Sequence, residues 1–89
     1  MLQQTVTVRN KLGLHARAAA KLVKTAGRYE SSVEMRNAHR SADAKSIMGV
    51  MMLAASQGTE LELIVEGPDE AEALESVVSL VDGLFGEEE

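Results

Sequence analysis

The chain has 89 residues, no cysteine, and a formal net charge of −5 from 9 Lys and Arg against 14 Asp and Glu. That length is near the lower end of what folds without staples, implying a single domain over 1–89, and the lack of thiols excludes a disulfide framework or a thiolate metal site. The acidic balance argues against general nucleic-acid binding, which draws most of its affinity from a basic face.

Residues 2–9 alternate, with Leu2, Gln4, Val6 and Val8 on one face and Gln3, Thr5, Thr7 and Arg9 on the other, which predicts a half-buried strand. Asn10-Lys11-Leu12-Gly13 reads as a loop, and a helix follows over 16–26. Ala19, Leu22, Val23 and Ala26 give that helix an inward stripe, Lys21, Lys24 and Arg28 lie off it, and Gly27 is a natural C′ stop. Residues 32–36 alternate through Val33 and Met35, and the polar turn Asn37-Ala38-His39-Arg40 leads to a weak strand at 41–44.

A short helix starts after Ser46, a favoured N-cap residue, and runs to about Leu53 with Val50, Leu53 and Ala54 inward. Residues 60–66 are the clearest strand, with Leu61, Leu63 and Val65 in and Glu60, Glu62, Ile64 and Glu66 out. Gly67-Pro68-Asp69 punctuates, and Asp69 with Glu72 resembles a capping pair. The last helix carries Ala73, Leu74, Val77, Val78, Val81 and Leu84, and Gly86 with Glu87, Glu88 and Glu89 finishes as a solvated tail. The order is βαββαβα in an α+β chain. With 45% hydrophobic residues but one Phe, one Tyr and no Trp, its core is aliphatic and methionine-rich. So short a chain cannot bury both faces of a sheet, so helices on one side are the economical answer.

The longest apolar run, 47–55, is about half of what a bilayer crossing needs. Met1-Leu2-Gln3-Gln4 lacks the regions of a secretory signal, so a cytoplasmic location is expected.

The chemistry concentrates at Gly13-Leu14-His15-Ala16-Arg17-Ala18. A histidine at the mouth of an alanine-rich helix faces unpaired N–H groups and the positive end of the helix dipole, both of which favour anions. Arg17 adds a permanent charge and a forked set of donors. A neutral imidazole there is a nucleophile beside a phosphate cradle. The plainer reading of His15 is a surface residue that caps a helix through its backbone, and of Arg17 a solvated helix charge. No P-loop precedes Lys45-Ser46, and no His or carboxylate spacing points to a metal or other cofactor.

The segment Asn10-Lys11-Leu12-Gly13-Leu14-His15-Ala16-Arg17-Ala18-Ala19 resembles the active-site segment of the HPr family, the histidine phosphocarriers of the bacterial phosphotransferase system. A second match, Lys45-Ser46-Ile47-Met48-Gly49-Val50-Met51, resembles that family's regulatory-serine segment. The resemblance covers nearly the whole chain. It implies an open-faced β-sandwich, a four-stranded antiparallel sheet with three helices on one face. It also implies a carrier that receives a phosphoryl group from phosphorylated enzyme I, itself charged by phosphoenolpyruvate, and passes it to IIA proteins, usually for sugar uptake. Ala18 stands where many family members have proline, which restores an N–H. His-Ala-Arg-Ala-Ala and Gly67-Pro68 are also similar to the nitrogen-regulatory paralogue, NPr, whereas Ser46-Ile47-Met48-Gly49 is closer to HPr, the branch favoured here.

By that resemblance His15 is the nucleophile through Nδ1, with the N–H groups of Ala16, Arg17 and Ala18 and the Arg17 guanidinium facing the phosphoryl oxygens. A charge-assisted hydrogen bond contributes roughly 1.5–3 kcal/mol, so several strong ones would trap the group and spoil onward transfer. A shallow site with one arginine therefore suits a carrier. An independent phosphohistidine enzyme would need a second acid or base beside the ring, and the neighbouring sequence offers none.

Ser46 has a sufficient role as an N-cap. In some bacteria the family's serine is phosphorylated by an ATP-dependent kinase, and a phosphate here would act by charge, making a serine kinase or phosphorylase a candidate partner. Ile47, Met48, Met51 and Met52 cannot all share one inward stripe, so some face outward as adaptable contacts, rimmed by Arg17, Lys24 and Lys45. The alternative is that most of them are core. A monomer with transient partners is expected, and the competing function is a regulatory protein whose phosphorylation state selects its partner.

Overall fold

The computed structural model describes residues 1–87. Its elements are β1 (Leu2–Thr7), α1 (Ala16–Ala26), β2 (Ser32–Arg36), β3 (Ser41–Asp43), α2 (Ile47–Met52), β4 (Glu60–Glu66) and α3 (Glu70–Asp82), followed by a 3-10 turn at Leu84–Gly86. The order is the expected βαββαβα. The strands form a four-stranded antiparallel sheet in the order β1-β4-β2-β3.

Alternation along β4 places Leu61, Leu63 and Val65 on one face, in register with Val6 of β1 and with Met35 and Val33 of β2. All six are buried, and the helices cover them with Ala18, Ala19, Leu22 and Ala26 of α1, Val50 of α2, and Ala73, Val77 and Val81 of α3. Each fully buried Leu, Val or Met side chain contributes about 1.5–3 kcal/mol by leaving water. The other face carries Arg36, which pairs with Glu34 at 3.3 Å and Glu62 at 3.6 Å. Ile64 belongs to that outer face yet is only 9% exposed. Its register partners are Gln3 and Glu34, whose long side chains can cover it.

Several local expectations give way to tertiary structure. β1 ends at Thr7, and as an edge strand it leaves Gln4 exposed although Val6 and Val8 are buried. β3 is shorter by a residue. Gly27 is right-handed (φ −66°), and its N–H reaches the Val23 carbonyl at 2.9 Å, so α1 tightens into a turn without a left-handed stop. Beyond α2, Ala54 is exposed at φ 51° and Ala55 takes the buried place expected of it, because the chain leaves helical geometry there.

The Asp69–Glu72 capping pair does not form. The Asp69 carboxylate accepts instead from the N–H groups of Glu30 and Ser31 (3.0 and 2.9 Å) and from the Ser31 hydroxyl. Three donors from the turn between α1 and β2 outbid the N–H groups of its own helix. Leu84 does not extend the stripe of α3. Leu84, Phe85 and Gly86 turn left-handed (φ 61°, 55° and 78°), and Phe85 enters the core fully buried.

Candidate functional site

The loop before α1 is built for close approach. Gly13 has φ 67°, and a Cβ there would lie 2.4 Å from the Ala55 carbonyl oxygen, a position only glycine tolerates. The Leu14 N–H donates to that same carbonyl at 2.9 Å, tying the loop to the segment after α2. Asn10, fully buried, donates through Nδ2 to the Gly13 carbonyl at 2.7 Å and to Glu87 Oε1 at 2.9 Å. Its Oδ1 is buried without a partner among the described residues. Turning the amide over would aim that oxygen at two acceptors, so the two bonds fix its orientation.

His15 is the N-cap of α1 in extended conformation (φ −72°, ψ 177°). Its carbonyl accepts from the Ala19 N–H at 2.8 Å, and its Nδ1 accepts from the Arg17 N–H at 3.3 Å. An N-cap accepting from the second helical residue satisfies one of the helix's orphan donors. Nδ1 therefore carries a lone pair and the ring proton sits on Nε2. That nitrogen meets Glu87 Oε2 at 2.5 Å, with 27% of the His15 side chain and 14% of Glu87 exposed.

Glu87 overturns two expectations at once. Expected as the first residue of a solvated tail, it is half-buried, because the left-handed turn folds back after Phe85 enters the core. The rest of the expected tail, Glu88 and Glu89, lies outside the described residues. It is also the second acid or base that the sequence around His15 lacks. Asn10's amide first, then the His15 ring and the Lys21 ammonium, hold its carboxyl below the ordinary value against the opposing effect of burial. Lys21, expected merely off the stripe of α1, donates to the Phe85 carbonyl at 2.6 Å and pins this turn.

The other sequence candidates are distributed around this point. Ala16 and Arg17 are exposed and Ala18 is buried in the first turn of α1. Arg17 makes no ion pair among the described residues. Ser46 caps α2, its hydroxyl accepting from the Gly49 N–H at 3.1 Å. Ile47, Met48, Met51 and Met52 are all exposed, at 42%, 70%, 44% and 59%, and Leu12 joins them at 70%. Lys24 is exposed in the last turn of α1, roughly 13 Å along the helix from His15. Lys45 donates to the Tyr29 carbonyl at 2.8 Å, at that far end as well.

The family described as "PTS HPr component phosphorylation site" matches residues 2–82 of this chain. The chain belongs to the HPr family. A phosphocarrier protein HPr from Cupriavidus necator is 54% identical over 89 residues, covering both chains completely. One from Pseudomonas aeruginosa is 55% identical over 85 residues, covering 94% of each. The solved structure of HPr-C-His from Thermoanaerobacter tengcongensis superposes with a TM-score of 0.96 at 44% identity, with both chains fully covered. As a member of the HPr family, the chain is a phosphotransferase-system component that carries a phosphoryl group on a phosphorylation-site histidine, not an independent enzyme. Enzyme I and IIA proteins are the partners this membership implies. A carboxylate beside the ring therefore does not make it a hydrolase. No helix among the described residues is long and apolar enough to cross a membrane.

Proposed function

We propose that His15 is the phosphorylated histidine and that Nδ1 is the attacking atom. The observation that carries this reading is the lone pair of Nδ1 at the head of α1, fixed there by the Arg17 N–H. Attack forms the Nδ1–P bond as the donor's bond to phosphorus breaks, and no proton has to leave Nδ1. The N–H of Arg17 can then turn to a phosphoryl oxygen, joined by those of Ala16 and Ala18, with the Arg17 guanidinium balancing charge in transit. Residues 1–89 act as one carrier domain, accepting from phosphorylated enzyme I and donating to IIA proteins of a sugar system.

Ile47, Met48, Met51 and Met52 form the docking patch, and Arg17, Lys24 and Lys45 are the cations offered to acidic partner surfaces. Phosphate on Ser46 would set about two negative charges beside that patch, changing partner choice without unfolding anything. Incubation with enzyme I and labelled phosphoenolpyruvate should load one acid-labile phosphate per chain, and His15→Ala should load none. A His15→Ala protein that keeps the label would overturn the assignment.

A further inference from the structure

The Glu87 carboxylate lies on the ring nitrogen opposite the one that takes the phosphoryl group, held from behind by Asn10 and from the side by the pinned turn. It lies outside the 2–82 stretch that matches the family. A group on Nε2 leaves the approach to Nδ1 open, so this contact does not block transfer. It holds the ring proton on Nε2, acting together with the Arg17 N–H that faces the Nδ1 lone pair.

We propose that Glu87 is a positioning residue for phosphoryl transfer: it keeps the ring proton on Nε2, leaves Nδ1 as the nucleophile, and retains that proton while the ring is phosphorylated. This rests on His15 being the carrier. The balance is simple. On loading, the Nδ1 lone pair forms the N–P bond, the donor's bond to phosphorus breaks, and Nε2 keeps its hydrogen. The ring is then formally cationic, a charge the Glu87 carboxylate faces directly. On unloading, the acceptor's nucleophile bonds to phosphorus, the electron pair returns to Nδ1, and the ring departs as neutral imidazole. Without the Nε2 proton it would have to depart as imidazolate, a far poorer leaving group. The carboxylate thus favours the form from which the group can move on.

The charged groups on the elements around the pair are Lys11 in the loop before α1, Arg17 and Lys21 on α1, and, in the C-terminal turn, Glu87 alone among the described residues. The segment after α2 that packs on the loop brings no charge. Lys21 faces Glu87 and lowers its carboxyl together with Asn10 and His15. Replacing Glu87 should therefore alter the ring's proton, and Glu87→Ala also removes an acceptor from the buried Asn10 amide, which the carboxamide oxygen of Glu87→Gln can still supply.

The test uses the full chain with Glu87→Gln and Glu87→Ala. Nitrogen-15 NMR of the His15 ring in the unphosphorylated protein should show the Nε2–H tautomer in the parent. The tautomers should begin to mix in both variants, and further in Glu87→Ala. Donation from the phosphorylated protein to a IIA acceptor should slow about two- to fivefold near neutral pH in Glu87→Ala. Thermal midpoints serve to separate this from unfolding. An unchanged tautomer and an unchanged transfer rate in Glu87→Ala would overturn the proposal. If His15→Ala still takes label, the carrier assignment fails instead, and the NMR result reports on the contact independently.

Discussion

Gly13 shows how a single backbone position can hold a side chain, that of His15, two residues away. Its φ of 67° is in the left-handed region, which costs other residues roughly 1–2 kcal/mol. The Ala55 carbonyl, 2.4 Å from where a Cβ would be, adds a clash with backbone, which cannot swing aside as a side chain could. That carbonyl also accepts the Leu14 N–H, so any shift is passed directly to the residue before His15. Gly13→Ala should therefore destabilise by about 2 kcal/mol or more, which for a domain of this size is a fall of about 10 °C in Tm. The surviving folded protein should also load phosphate more slowly. Calorimetry with a loading assay checks both, and a variant that melts like the parent contradicts the account. Asn10 makes the same point from the polar side: its orphaned Oδ1 costs free energy that only its two donor bonds offset.

α2 is six residues long, buries only Val50, and exposes its larger side chains, so its start must carry much of its definition. Ser46→Ala removes the bond to the Gly49 N–H and should lower stability by about 1 kcal/mol, or about 4–8 °C in Tm, while Ser46→Asp should keep a capping oxygen and recover most of it. A Ser46→Ala protein with an unchanged melting curve rules out this role for the cap. This cap was legible in the sequence, as were α1 over 16–26, β2 and β4. Each is specified by residues a few places apart whose alternation or helical stripe is local. The head of α1 with His15 and Arg17 was legible for the same reason. The C-terminal turn was not, because Leu84 and Phe85 are poor candidates for φ > 0 and nothing in their identity announces it. Burying Phe85 selects that conformation, and burial is set by the whole core. Glu87 was consequently invisible as a site residue: its partners Asn10 and His15 are 77 and 72 positions away. The one available signal was the only Phe of the chain just before Gly86, an aromatic anchor inside a supposed tail.

Across the whole molecule, α3 and the turn after it are tied to the rest through carboxylates. The Met1 amino group pairs with Glu70 at 3.1 Å, Asp69 binds the turn between α1 and β2, and Glu87 binds Asn10 and His15 ahead of α1. The Ser31 hydroxyl, then the Glu30 and Ser31 N–H groups, hold the Asp69 carboxyl below its ordinary value, outweighing burial. The amino terminus, then the Gly67 N–H, do the same for Glu70. A carboxyl depressed by folding is protonated more readily in the unfolded chain than in the native one. Its stabilisation is therefore complete above the ordinary carboxylate range and is lost as pH falls through that range toward the native value. Below about pH 4 the protein should lose stability steeply. Asp69→Asn cannot titrate and loses part of its acceptor capacity, so it should be less stable than the parent at pH 7. The gap should narrow as pH falls, because the parent protonates into a comparable neutral state. Urea unfolding from pH 7 to below pH 3 measures that gap directly. A difference that stays constant across the range would mean the Asp69 clasp acts through shape alone, and the acid sensitivity would then have to be sought at Glu70 and Glu87.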